Sequence, residues 1–143
     1  MITFAMIKPH AVKNPVALSH IMQIIKDNNF NIIRKSRIKF NRKSAEKFYE
    51  EHHGRFYFNR LVTFMTSGEA EVLILERENA ITKWRELLGP TKIFKCIYSH
   101  PSSIRGLYGL TDTRNACHGS DSPESVSKEI EKVFPGFYSE QKN

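Results

Sequence analysis

The chain has 143 residues, 40% of them hydrophobic and 26% charged, the length and composition of one globular domain that buries a real core, not of a disordered or fibrous protein. Two cysteines are too few for a disulfide framework or a cysteine zinc site, and no apolar run approaches the roughly 20 residues that span a bilayer. A net charge of +7 draws anions, whether phosphorylated small molecules, nucleic acid or an anionic membrane, without choosing among them. No leader pattern precedes the first strand-like run, so a soluble protein of the cytoplasm, or alternatively of the mitochondrion, is expected.

Residues Ile2 to Lys8 are apolar on both alternating faces, the pattern of a central strand, and Pro9 ends it. Lys8 therefore stands at the C-terminal end of a buried strand. From Pro15 to about Asn28 apolar residues recur at Ala17, Ile21, Ile24 and Ile25, which predicts a helix. The segment FNIIRKSRIKF reads as a strand, and its basic run from Arg34 to Lys39 alternates with Ser36 and Ile38 as a solvated strand face does, better than as a nucleic-acid patch.

Asn41 suits the cap of a helix that carries Ala45, Phe48, Tyr49 and His52 on one face and stops at Gly54. A second helix follows through Phe58, Leu61, Val62 and Met65. AEVLILE is a strand, and NAITKWRELLG is a helix with Ile81, Trp84, Leu87 and Leu88 inward. Between Pro90 and Asn115 the periodicity fails, Pro101 and glycines appear, and the content stays apolar, so a long packed loop with a functional role is predicted. The last helix starts at Ser122 as N-cap with Pro123 in its first turn, and its stripe is Val126, Ile130, Val133 and Phe134. Strands alternating with helices give an α/β or α+β sandwich as a single domain over residues 1–143.

The stretch RNACHGSDS concentrates polar groups. His118 ends a strand that feeds the last helix, where Glu129 lies on the flank of the buried stripe and wants a hydrogen-bonded partner. A histidine held at one ring nitrogen by a carboxylate keeps its other lone pair free as base, ligand or nucleophile; a core histidine bonded to backbone is the alternative reading. Lys8, Arg85, Thr91, Arg105 and Asn115 each read singly as surface residues, but together they are the guanidinium, ammonium, amide and hydroxyl set that matches phosphate oxygens.

These segments, IKPHAV, FYEEHHGRFYFNRLVTFMTSG, WRELLGPT, SIRG and RNACHGSDSPESVSKEI, resemble in order the motifs of the nucleoside diphosphate kinase family, over residues 2 to about 137. The resemblance implies a ferredoxin-like fold, a four-stranded antiparallel sheet covered by helices. It implies transfer of the γ-phosphate of a nucleoside triphosphate to a nucleoside diphosphate through a phosphohistidine, with His118 as nucleophile, Glu129 orienting it and Ser120 supporting that contact. Lys8, Tyr49, Arg105 and Asn115 would hold ribose hydroxyls and phosphates, Arg85 and Thr91 the β and γ oxygens, and Tyr57 would stack on the base. Mg2+ would bridge the nucleotide phosphates with no protein ligands of its own.

The chain departs from the family pattern at His10 and Leu107, which stand where Asp is usual, and at Tyr57, which stands for Phe. The loop before Ser-Ile-Arg-Gly is a few residues longer, as in the divergent group that contains the sixth human member. In typical members that loop builds the trimer contact, so a homo-oligomer is implied while the usual hexamer is open. The alternative function is a nucleotide-binding or assembly partner that keeps the fold with little turnover.

Overall fold

A computed structural model of the protein describes residues 1–141. Strand β1 (Ile2–Ile7) leads into a short helix α1 (Pro9–Val12) and then α2 (Pro15–Asp27), whose first turn is capped by the Asn14 side chain, accepting from the N–H groups of Val16 and Ala17 at 3.1 and 3.2 Å. Strand β2 (Asn31–Lys39) precedes α3 (Arg42–Phe48), which opens with a capping box between Asn41 and Ser44, and a 3-10 turn over Glu50–His52. Next come α4 (Phe58–Met65), β3 (Glu69–Glu76), α5 (Ala80–Leu88), α6 (Ile93–Ser99), α7 (Ile104–Tyr108), β4 (Cys117–Gly119), α8 (Pro123–Val133) and α9 (Phe137–Gln141).

The four strands form one sheet in the order β2-β3-β1-β4, every neighbouring pair antiparallel. Helices cover both faces, as the ferredoxin-like expectation requires. Because side chains alternate along β1, Phe4 and Met6 enter a core beneath α3, α4, α8 and α9, while Ala5 and Ile7 enter the core beneath α2 and α5. β1 is buried on both faces, and that fixes the register of β4, where Met6 lies opposite His118 and Ile7 opposite Cys117. β2 is the exposed edge; in its basic run Arg37 is paired with the buried Glu71 at 2.5 Å, so part of that charge is committed within the sheet.

Three expectations are corrected. The long segment after Pro90 is not a loop but carries α6 and α7. Each is two turns or less, below the window in which helical period is legible, and Phe94, Ile97 and Tyr98 on α6 are exposed, which blurs its apolar face. The helix expected from Asn41 to Gly54 breaks after Phe48 into the 3-10 turn. The short helix α1 begins at Pro9, which was expected only to end the strand, and α9 was not foreseen.

Candidate active site

The C-terminal ends of β1 and β4, the α3–α4 connection, α5, α7 and one face of α8 enclose a cleft of about 480 Å³. Its floor is β4. Gly119 is required there by close approach: a Cβ at that position would stand 2.6 Å from the Trp84 ring. With no side chain in the way, Trp84 packs beneath the strand and its indole N–H donates to the His118 carbonyl at 3.1 Å, fixing the backbone under the histidine.

The His118 side chain is 26% exposed and that of Glu129, one turn and a half into α8, is 13% exposed. His118 Nε2 is hydrogen-bonded to Glu129 Oε1, and the buried Ser120 donates its hydroxyl to the same oxygen at 3.2 Å. A carboxylate at Nε2 places the proton there and leaves Nδ1 with its lone pair. Packing holds the ring further: Phe48 stands edge-on at 5.7 Å and Phe4 at 6.1 Å. His118 is thus neither a backbone-bonded core residue nor a free surface one.

The wall opposite is cationic and buried. Lys8 and Arg105 are 5% and 6% exposed. Arg105 donates to the carbonyls of Gly89 at 2.7 Å and Cys117 at 3.0 Å, and Lys8 Nζ donates to the Thr113 carbonyl at 3.3 Å. Burial, reinforced by the Arg105 charge, pushes the Lys8 ammonium down to about 7. Burial also holds the Tyr49 phenol above its ordinary value, with Glu129 adding to it, so it stays a donor.

Asn115 is buried and donates its amide to the Asp112 carbonyl at 3.0 Å, on a kink made by Ala116 at φ 76°. That left-handed residue costs on the order of 1 kcal/mol and turns the chain from Asn115 into β4. Arg85 and Thr91 are exposed at the cleft rim. Burial of Cys117 raises its thiol to about 12, an inert packing group. His10 is likewise neutral: burial, with Lys8 and Arg114 adding to it, pushes it down to about 4, and it packs on Phe64 at 5.5 Å.

Three buried polar atoms on cleft residues lack a hydrogen-bond partner: the Tyr49 hydroxyl, Arg105 Nε and Asn115 Oδ1. Native interiors rarely leave such groups unpaired, and each unmet one costs on the order of 1–3 kcal/mol. Every predicted site residue comes to this place: Lys8, Tyr49, Tyr57, Arg85, Thr91, Arg105, Asn115, His118 and Glu129 line the cleft, and Ser120 lies beneath it. Unforeseen there were His52, bonded through Nδ1 to the Tyr57 hydroxyl at 2.6 Å, and the cations Arg60, Lys92, Lys128 and Lys132. His52 reads in the sequence as part of a helical apolar stripe.

Residues 2–138 match the family model described as nucleoside diphosphate kinase. The chain belongs to the nucleoside diphosphate kinase family. Within that family it is 51% identical over 140 residues to nucleoside diphosphate kinase 6 of Danio rerio, covering 98% of this chain and 79% of the relative. It is 48% identical to the Homo sapiens protein of the same name, covering 99% and 75%, as the longer loop predicts. Among solved structures it superposes on the Aquifex aeolicus nucleoside diphosphate kinase with a TM-score of 0.89 at 37% identity, over 94% of this chain and 95% of that one. A Halobacterium salinarum family member in complex with CDP gives 0.86 at 28% identity, over 94% and 87%. Among the described residues of this family member no helix is long and apolar enough to cross a membrane.

Proposed function

We propose that this family member transfers the γ-phosphate of a nucleoside triphosphate to a nucleoside diphosphate through a phosphohistidine at His118. The observation that carries the reading is the free Nδ1 of a carboxylate-held His118 in the same cleft as unpartnered buried polar atoms of matching chemistry. The Tyr49 hydroxyl and Arg105 Nε are donors suited to an anionic phosphate, whereas Asn115 Oδ1 is an acceptor suited to a sugar hydroxyl. The relative solved with CDP carries a nucleotide of that class.

In the first half-reaction the Nδ1 lone pair forms a bond to the γ-phosphorus while the bond from that phosphorus to the β–γ bridging oxygen breaks, and the nucleoside diphosphate leaves. The imidazole gains positive charge as the bond forms, and Glu129 on Nε2 offsets it, with Ser120 fixing the carboxylate. In the second half-reaction the terminal oxygen of another nucleoside diphosphate attacks the same phosphorus and Nδ1 recovers its lone pair. Lys8, Arg105, Arg85 and Thr91 surround the transferred group with charge and donors, which is the main demand of phosphoryl transfer. Holding nucleophile and phosphorus in line is worth on the order of 7–11 kcal/mol of the barrier.

Mg2+ carried on the nucleotide's phosphates would neutralise part of their charge. Among the described residues no group of three histidine, cysteine or carboxylate side chains is placed to hold a metal. The test is transfer of label from γ-labelled GTP to ADP. Parallel double-reciprocal lines, the sign of a substituted-enzyme mechanism, are expected; bound nucleotide without transfer overturns the reading.

A second reading, an assembly partner with little turnover, draws on one observation. Phe94 and Tyr98 on α6 are 78% and 77% exposed and stack edge-on at 5.8 Å, an apolar surface beside the site.

A further inference from the structure

One wall of the cleft is built from rings. Gly54, at φ 87°, turns the chain back after the 3-10 turn, so that His52 and Tyr57 meet side by side. His52 Nδ1 and the Tyr57 hydroxyl are 2.6 Å apart, with ring centroids 5.5 Å apart at 59°. Tyr49 flanks His52 at 6.2 Å and Phe56 flanks Tyr57 at 5.4 Å. The rings form one continuous row from buried Tyr49 to the exposed Phe56, all lining the cleft.

Phosphoryl transfer makes no use of the His52–Tyr57 bond. Both side chains are half-buried: Tyr57 packs against the core, and its hydroxyl end, lying in the cleft, is bonded to His52. A hydrocarbon ring at position 57 would offer the same face for stacking but would lose the tether at its outer end when the cleft is empty. Ordering a mobile side chain on a ligand subtracts from affinity, and a ring already held avoids that loss. Burial, opposed by Glu51 and reinforced by His118, Arg55 and Lys8, keeps the His52 imidazole below its ordinary value, hence neutral and able to accept as well as donate.

We propose that His52 is a positioning residue for the nucleobase: its bond to the Tyr57 hydroxyl orders the Tyr57 ring as a stacking platform before the nucleotide arrives. The inference rests on the nucleotide reading of the cleft, but on binding and not on turnover. Its signature is an effect confined to ligands that carry a base.

The test compares dissociation constants, by calorimetry, for ADP and for the base-free 2-deoxyribose 5-diphosphate. His52→Leu and Tyr57→Phe each weaken ADP binding about two- to tenfold, the double variant is no weaker than either single because both remove one bond, and His52→Asn, which keeps a side-chain polar group near the Nδ1 position, stays close to the wild type. The base-free ligand binds alike to all of them. Equal weakening of both ligands means that His52 merely supports the turn, and overturns the proposal, as does unchanged ADP binding in both single variants or full additivity in the double. A wild type that binds ADP without transferring phosphate defeats the catalytic reading alone and leaves this comparison decisive. A wild type that does not bind ADP overturns both.

Discussion

The two halves of the cleft are satisfied to different degrees. At the nucleophile, the contacts that support the ring are closed within the protein and only Nδ1 is left free: Glu129 holds Nε2, Ser120 holds Glu129, and Trp84 holds the His118 carbonyl. Across the cleft, Arg105 is close enough to the buried Lys8 to disfavour its charge, and the Tyr49 hydroxyl, Arg105 Nε and Asn115 Oδ1 are unpaired. The first half is arranged to act, and its geometry exists before a ligand arrives. The second half is arranged to receive, and it carries an electrostatic deficit that an anion relieves. Stability and affinity therefore pull in opposite directions on one wall and not on the other.

That contrast can be broken by substitution. The largest effect is expected from Glu129→Gln, which keeps the shape but removes the charge that offsets the reacting imidazole; single-turnover phosphorylation of His118 falls on the order of 100-fold while the dissociation constant for ADP is unchanged. A parallel loss of ADP affinity would mean the two halves are not separate. Tyr49→Phe comes next and acts with opposite signs. Removing an unpaired buried hydroxyl raises the stability of the ligand-free protein by about 1 kcal/mol, read by urea unfolding, and the same change weakens ADP binding; destabilisation would show that the hydroxyl already has a partner.

The smallest effect is in pH. Lys8 is held at about 7 against an ordinary 10.5. Between those values the unfolded chain binds a proton that the folded one has released, so stability rises as pH climbs from about 7 towards 10.5; well below 7 the cost of the buried charge is at its full size and no longer changes with pH. Nucleotide phosphates return the charge to Lys8, so ADP binding near pH 8 takes up a proton. Calorimetry in buffers of different ionisation enthalpy reads that uptake, and Lys8→Met should abolish it.

Much of this was legible in the sequence, for reasons that differ by element. β1 and β3 carry apolar residues on both alternating faces, and α5 and α8 carry clear periods with a glycine stop or a Ser-Pro start. Lys8 follows β1, and α5 and α8 carry Arg85 and Glu129, which is why those residues could be placed near one site. α6 and α7 were not legible because short helices lack a period to read and because α6 turns Phe94, Ile97 and Tyr98 to solvent. The His52–Tyr57 bond was not legible either. It depends on the chain reversing at Gly54, which makes a residue of one apparent helical stripe the neighbour of the next helix's cap.

Phosphorylation of the protein by γ-labelled ATP with no acceptor present tests the central claim most directly. One label per cleft is expected, acid-labile and alkali-stable, discharged by added GDP and absent from His118→Ala. ATP bound to intact protein without such label, or label that persists in His118→Ala, would contradict it.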